Sequence, residues 1–214
     1  IVLLIDMSMS MISSVRNLVQ GIYSLHRDVY RQRDRVGLIV FKGSKAFTLQ
    51  HPTANLDLVV KKFKEVGASD FTPLAAGLLQ AWKVLKQERL RNKDSVPYLV
   101  VFSDGIVNVP LEKPISLLTR RKYYSESQAD AFDIAHLIAK ENFRVYIINT
   151  NHSEQEANAP TAREEGWRIG FTPTQFMMQL ARASKGTYQG LRLTGERPEA
   201  ASQGAKFFSP QHLT

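Results

Sequence analysis

Cysteine is absent from the 214 residues of this chain. Its absence excludes disulfides, iron–sulfur clusters and zinc sites built from thiolates, and it fits a reducing compartment. Long apolar runs are also missing, because no stretch approaches the roughly 20 residues that a membrane-spanning helix needs. The opening run, residues 1–5, is too short for a signal peptide and has no basic leader. We therefore expect no membrane segment.

Charge is unbalanced only mildly. The chain has 28 Lys and Arg against 20 Asp and Glu, which gives a formal net charge of +8. This surplus favours acidic partners. We expect no nucleic-acid partner, because a basic motif interleaved with aromatic residues is missing. Since the chain starts inside an apolar run and without methionine, we also expect it to be part of a longer protein.

Four short runs of β-branched and aromatic residues are almost continuously apolar. Such runs are typical of strands buried on both faces of a parallel sheet. Segments with the spacing of amphipathic helices lie between and after them. The predicted strands cover residues 1–5, 36–41, 98–102 and 145–148, and the predicted helices lie within residues 12–29, 56–66, 74–85, 131–138 and 176–181.

Two further segments complete the predicted sheet. Residues 45–50 alternate in polarity and follow the second strand after three residues, which predicts a hairpin return at a sheet edge. Residues 187–193 form the last predicted strand. The pattern predicts a doubly wound α/β fold, with a mostly parallel sheet, one antiparallel edge strand and helices on both faces. This domain covers residues 1–193, and residues 194–214 are a tail or linker.

One long connection, residues 106–127, interrupts the alternation of strands and helices. A connection of this length in a compact domain is usually functional or mobile. It carries the basic cluster Arg120, Arg121 and Lys122. We consider this cluster a candidate contact for an acidic partner segment, and a merely solvated turn is an equally good interpretation.

Oxygen-bearing side chains follow the strands at one end of the predicted sheet. Asp6, Ser8 and Ser10 follow the first strand, Asp104 follows the third, and Thr72 precedes a helix. Ligands of open α/β sheets bind at the carboxyl ends of strands, where the winding direction reverses. Carboxylates and hydroxyls without imidazole or thiolate suit hard cations such as Mg²⁺, Mn²⁺ or Ca²⁺. Together these residues predict a metal site.

Each of these features also has an ordinary structural interpretation. Ser10 and the pair Thr72-Pro73 are typical helix starts, and Asp104-Gly105 is a common turn. Taken singly, each is better explained as structural. Their joint occurrence, each at the correct end of its element, favours the metal site.

These residues carry a resemblance. Asp6-x-Ser8-x-Ser10, with Thr72 and Asp104, resembles the metal-ion-dependent adhesion site of von Willebrand factor A domains, also called integrin I-like domains. The run from Asp104-Gly105 to Asn108-Val109-Pro110-Leu111 resembles the corresponding run in the D subunit of magnesium chelatases and their relatives. Met9 is a departure, because the family usually has glycine there.

The resemblance implies a metal-dependent docking module in an ATP-driven complex that inserts Mg²⁺ into a porphyrin. Ser8, Ser10 and Thr72 would ligate the ion, Asp6 and Asp104 would act directly or through water, and a partner would supply a carboxylate. The implied partners are an AAA+ ATPase subunit and a large porphyrin-binding subunit, in the cytoplasm or in a plastid stroma. The chain has no G-x-x-x-x-G-K-[ST] motif, so the domain itself would not be the ATPase.

Other functions remain open at this level. Asp6 after a buried strand is also compatible with a Mg²⁺-dependent phosphotransferase, although Ser8 stands where that chemistry usually needs a second carboxylate. A von Willebrand factor A adhesion module unrelated to chelatases is another alternative. The run Asn108-Val109-Pro110-Leu111 argues against it.

Overall fold

The continuous apolar runs form the inner strands of one sheet. The computed structural model describes residues 1–11, 34–164 and 168–191. Eight strands are assigned within these ranges. They are β1 (Val2–Asp6), β2 (Val36–Lys42), β3 (Lys45–Thr53), β4 (Tyr98–Ser103), β5 (Arg144–Asn149), β6 (Ala162–Glu164), β7 (Arg168–Gly170) and β8 (Thr187–Gly190).

Helices connect these strands. A single 3₁₀ turn at Met9–Met11 follows β1. The α-helices assigned in the described ranges are α1 (Leu56–Lys64), α2 (Leu74–Arg91), α3 (Leu117–Lys122), α4 (Glu126–Ile138), α5 (Glu154–Ala157) and α6 (Pro173–Ala183).

The sheet has the strand order β3-β2-β1-β4-β5-β8. All neighbours are parallel except β2 and β3, which confirms the predicted doubly wound sheet with an antiparallel edge. After β1, strands β2 and β3 lie on one side of it. Strands β4, β5 and β8 then follow in order on the other side. The winding therefore reverses between β1 and β4, where ligands of such sheets bind.

Both faces of the sheet are buried, as the unbroken apolar runs predict. In β1, Val2 and Leu4 pack into a core with α2, α4 and α6, whereas Leu3 and Ile5 pack into a second core with α1. All four side chains are fully buried. This two-sided burial holds β1 rigidly and fixes the position of the loop that follows it.

Several elements differ from the prediction. The connection 106–127 contains α3, α4 begins at Glu126, and α5 with the β6-β7 hairpin lies between β5 and α6. These pieces are too short for apolar periodicity to indicate them. The predicted helix at 12–29 and the tail at 194–214 lie outside the described residues, and the boundary at residue 193 stays a prediction.

Within the described part of the chain, no helix combines the length and the apolar character needed to cross a membrane.

Candidate metal centre

Asp6 is the last residue of β1 and lies at the point where the winding reverses. The β1–β4 register pairs Ile5 with Phe102, which places Asp6 beside Ser103. The Ser103 hydroxyl donates to Asp6 Oδ2 at 2.7 Å, and the Ser8 backbone N–H donates to Asp6 Oδ1 at 2.9 Å. Asp6 is fully buried. Its carboxylate therefore joins the ends of the two central strands.

Burial also changes the acidity of Asp6. Loss of hydration raises its pKa from 3.8 to about 6, and the negative charge of Asp104 adds to this effect. The hydrogen bonds from Ser103 and Ser8 act in the opposite direction but are weaker. A nearby cation would favour the ionised form of this carboxylate.

The loop after Asp6 brings two hydroxyls together. Ser8 Oγ and Ser10 Oγ are 3.0 Å apart, with Ser8 buried and Ser10 exposed. Met9, which stands at the family's usual glycine, is 54% exposed. Among the described residues other than glycine, only Asn142 and Lys185 have positive φ, so Met9 has an ordinary backbone conformation. The methionine is accommodated because its side chain is largely in solvent.

The loop before α2 lies against the β1 loop. Ser69 pairs with Ser8 in a parallel bridge, in which Ser69 N donates to Met7 O at 3.0 Å and Met9 N donates to Ser69 O at 3.2 Å. Thr72, three residues after Ser69 in the same loop, is buried. The N-cap position of α2 is Pro73 and makes no side-chain capping hydrogen bond. The interpretation of Thr72 as a helix cap is therefore wrong.

Asp104 follows β4 in a tight turn. Its Oδ1 accepts from the Ile106 backbone N–H at 3.0 Å, so the turn predicted for Asp104-Gly105 is present. Gly105 has φ +84°, and a Cβ there would lie 2.5 Å from the Pro173 carbonyl oxygen. Only glycine fits this position, because it is both left-handed and in contact with the start of α6.

Three residues that the sequence reasoning did not assign to the site connect its loops, Ser103 and Asn108 through their side chains and Ser69 through its backbone. Ser103 links β4 to Asp6, and Ser69 links the α2 loop to the β1 loop. Asn108 Oδ1 accepts from the Thr72 backbone N–H at 2.8 Å, which links the third pair of loops. Asn108 belongs to the run that carried the family resemblance, and Ser103 stands opposite Asp6 in the predicted sheet. These two positions in the sequence could have indicated that Asn108 and Ser103 belong to the site.

The donor chemistry of this site fits a hard cation. In the described ranges, no group of three or more His, Cys, Asp or Glu side chains is positioned to hold a metal. A cation between these loops would therefore depend on hydroxyls together with Asp6 and Asp104. Carboxylate and hydroxyl oxygens are ligands for Mg²⁺, Mn²⁺ and Ca²⁺ and are poor ligands for softer metals.

The basic cluster of the connection 106–127 is divided. Arg120 donates from Nε and Nη2 to the two carboxylate oxygens of Asp130, at 2.9 and 2.7 Å, and from Nη1 to Glu126 at 2.8 Å. Arg121 and Lys122 are exposed. The partner contact stays a prediction, and Arg121 and Lys122 are the members of the cluster that are accessible for it.

Sequence relatives include subunits of magnesium chelatases. The chain is 24% identical over 186 residues to the magnesium-chelatase 67 kDa subunit of Chlorobaculum parvum, which covers 86% of this chain and 30% of that subunit. It is 29% identical over 151 residues to the 67 kDa subunit of Heliobacterium mobile, covering 70% of this chain and 22% of that subunit. The chain thus spans less than a third of the length of these two relatives.

A solved structure and a family model both relate this chain to von Willebrand factor type A domains. A von Willebrand factor type A structure from Catenulispora acidiphila superposes with a TM-score of 0.58 at 13% identity, over 99% of this chain and 42% of that one. A sequence model of the von Willebrand factor type A domain matches residues 1–106, which include all five predicted metal ligands. With its sheet order, helices on both faces and the position of these residues, the chain belongs to the von Willebrand factor type A domain family.

Proposed function

We propose that this chain is a metal-ion-dependent docking module of a magnesium-chelatase-like complex. The observation that supports the proposal most strongly is the junction of three loops at the β1–β4 winding reversal. Each loop contributes an oxygen-bearing side chain from the set Asp6, Ser8, Ser10, Thr72 and Asp104. The similarity to magnesium-chelatase subunits suggests the kind of assembly in which the module works.

The residues have different roles in this proposal. Ser8, Ser10 and Thr72 would hold Mg²⁺ or Mn²⁺ through neutral hydroxyls, while Asp6 and Asp104 offset its charge directly or through water. The ion would supply an electrophilic position for an Asp or Glu carboxylate of a partner. Asp6 also acts within the protein, since it accepts hydrogen bonds from Ser8 and Ser103. It thereby orients the loop on which the two serines stand.

The partners we propose are the AAA+ ATPase subunit and the large porphyrin-binding subunit of the complex. The domain itself would be non-catalytic, and it would work in the cytoplasm or in a plastid stroma. The positive net charge of the chain favours an acidic surface on the partner. Such a surface would carry the carboxylate that approaches the ion.

The phosphotransferase alternative is disfavoured by the surroundings of Asp6. A nucleophilic carboxylate must reach the phosphorus atom of its substrate. Asp6 is fully buried, and each of its carboxylate oxygens accepts a hydrogen bond from the protein. An aryl phosphate assay with Mg²⁺ should show no turnover above buffer.

The docking role is tested by measuring association with the chelatase ATPase and porphyrin-binding subunits of the source organism, in Mg²⁺ and in EDTA. We expect binding in Mg²⁺, loss of binding in EDTA, and loss of binding for Asp6→Ala in both. Asp70→Ala is the matched control, because Asp70 is an exposed carboxylate two residues from Thr72. Equal binding in EDTA would refute the role, and metal-dependent binding to an unrelated surface protein alone would favour the adhesion alternative.

A further inference from the structure

The connection between β4 and α4 is fixed to the rest of the domain at several points. Besides the contact of Asn108 with Thr72, the Leu111 N–H donates to Asp130 Oδ2 at 2.7 Å, and the Leu111 carbonyl accepts from Arg120 Nη2 at 2.7 Å. Tyr124 N donates to the Ile169 carbonyl at 2.9 Å. The segment between Leu111 and Tyr124 is therefore held at both of its ends.

Within this segment, α3 has a defined inner face. Ser116 caps the helix by accepting from the Thr119 N–H. Arg120 lies on the side that packs against α4 and holds the fully buried Asp130 in a two-point contact. A buried carboxylate without this partner would be costly, so the ion pair determines which side of α3 faces inward.

The outer face of α3 is apolar and basic. Leu117 and Leu118 are 65% and 76% exposed, and Ile115, just before the helix, is 49% exposed. Arg121 lies one turn from both leucines at i+4 and i+3, and Lys122 lies at i+4 from Leu118. Both basic side chains are exposed. Two leucines and two cations thus share one side of this six-residue helix, and the exposed Ile115 lies just before it.

Such a surface on an anchored element indicates a binding site. Single exposed apolar residues are common on proteins, but adjacent ones on a fixed helix are typical of interaction surfaces. A second copy of this chain is a poor occupant, because α3 carries no acidic residue that could pair with Arg121 and Lys122 of the other copy. A membrane surface is also a poor occupant, because membrane binding strengthens with the apolar area that is buried, and this surface offers only Ile115, Leu117 and Leu118.

The chain's own carboxyl-terminal residues do not supply the complementary charge. Residues 192–214 contain two acidic residues, Glu196 and Glu199, and three basic ones, Arg192, Arg197 and Lys206. Residues 192–214 are therefore a poor occupant of this surface.

We propose that the outer face of α3, formed by Ile115, Leu117, Leu118, Arg121 and Lys122, binds an acidic segment of a partner protein that carries adjacent apolar side chains. The apolar residues of the partner would cover the leucines, and its carboxylates would pair with the two cations. This α3 surface contains none of the five predicted metal ligands. Its binding is therefore independent of the metal and can be measured separately.

The test uses a phage-displayed library of short random peptides selected against the chain in EDTA. We expect the selected peptides to be enriched in Asp or Glu next to Leu, Ile or Phe. Their affinity for the double variant Leu117→Ser/Leu118→Ser should fall at least about tenfold, close to the effect of losing 1.4 kcal/mol. Leu90→Ser is the matched control, since Leu90 is an equally exposed leucine on α2 (76%), and it should bind normally.

Charge reversal provides a second test. The double variant Arg121→Glu/Lys122→Glu should lose the acidic peptides, whereas Lys83→Glu/Lys93→Glu, which changes two other exposed lysines, should keep them. Binding of the acidic peptides should weaken as salt rises. Thermal unfolding of each variant shows whether it is folded.

Three results would overturn the proposal. The first is a selection without acidic and apolar enrichment, or peptides that bind the leucine double variant as well as the parent. The second is binding of phosphatidylserine vesicles, lost in the leucine double variant, in the absence of peptide binding. The third is self-association of the chain that the same variant abolishes. None of these results bears on metal-dependent docking, because the selection is carried out without divalent ions.

Discussion

At the scale of single residues, Asp6 combines a structural cost with the role in metal binding that we propose. In the absence of metal, its carboxylate is buried beside Asp104, and the hydrogen bonds from Ser103 and Ser8 offset the loss of hydration only in part. Such a group lowers the stability of the folded chain when it is ionised. Functional sites commonly destabilise a fold in this way.

Asp6→Asn should therefore stabilise the metal-free chain. The amide keeps an acceptor for the Ser8 N–H without a buried charge, and we expect an increase of about 1 kcal/mol in the free energy of unfolding. For a chain of this size, that corresponds to roughly 2–4 °C in the unfolding midpoint. Calorimetric unfolding in EDTA measures it. A lower midpoint than the parent would show that the charge of Asp6 is needed for folding.

The same substitution predicts a pH dependence. The pKa of Asp6 is raised from 3.8 to about 6 on folding, so the folded chain binds this proton more tightly than the unfolded chain does. Its contribution to stability is present below pH 3.8 and is lost as pH rises through about 6. The advantage of Asp6→Asn in EDTA should thus be larger at pH 7 than at pH 4.5. An advantage that does not change with pH would contradict this explanation.

Thr72 tests the ligand set at a small structural cost. Its side chain caps no helix but is buried, so Thr72→Ala should lower the free energy of unfolding by only about 1 kcal/mol, through loss of the buried methyl group. Loss of one of about six ligands should lower the affinity for Mg²⁺ by at least about tenfold. Titration calorimetry measures the affinity, and Thr72→Ser, which keeps the hydroxyl, is the control that should bind normally. Equal affinity of the alanine variant would remove Thr72 from the site.

The residue types of the site were predictable, whereas their connections were not. Asp6, Ser8 and Asp104 stand out because they directly follow apolar runs, and the ends of parallel strands meet at one edge. The contact of Asn108 with Thr72 spans 36 residues and depends on how a long connection folds back. No periodicity in the sequence encodes such a contact.

At the scale of elements, Arg120 holds α3 against α4. Arg120→Ala would leave Asp130 buried without its partner, and the free energy of unfolding should fall by about 3 kcal/mol. Arg121→Ala, one position further on an exposed site, should change it by less than about 0.5 kcal/mol. Urea unfolding measures both. A small effect at Arg120 would mean that α3 is not anchored by this ion pair.

Gly105 joins the β4 loop to α6. Gly105→Ala would place a Cβ 2.5 Å from the Pro173 carbonyl oxygen on a backbone with φ +84°, so both contact and conformation oppose it. We expect a loss of more than about 1 kcal/mol in stability. The variant should also lose affinity for Mg²⁺, because Asp104 would shift. Normal stability and affinity together would show that the loop adapts.

Elements with strong patterns were predicted well, and short ones were not. The inner strands follow directly from apolar runs, the β2-β3 hairpin from alternation, and α2 from an apolar stripe with helical spacing. The helix α3 has two leucines that face solvent, so its apolar residues do not mark a buried face. Apolar periodicity indicates burial, and the exposed apolar residues of α3 do not follow that rule.

At the scale of the whole molecule, a cation at the junction of the three loops should stabilise the fold. The loops belong to β1, to the start of α2 and to the end of β4, so an ion between them would link both sides of the winding reversal. A ligand that binds only the folded state raises the unfolding midpoint, and the increase grows with the logarithm of its concentration above Kd. Millimolar Mg²⁺ should therefore raise the midpoint of the parent chain and leave that of Asp6→Ala unchanged. Equal shifts in both would indicate that the ion acts elsewhere.

The most direct measurement is a crystal of the chain soaked in Mn²⁺, with diffraction data collected to reveal the anomalous signal of the ion. We predict one strong peak bordered by Ser8, Ser10 and Thr72, with Asp6 and Asp104 on the side of the sheet. A fully soaked crystal without that peak, or with its strongest peak on another surface, would contradict the account.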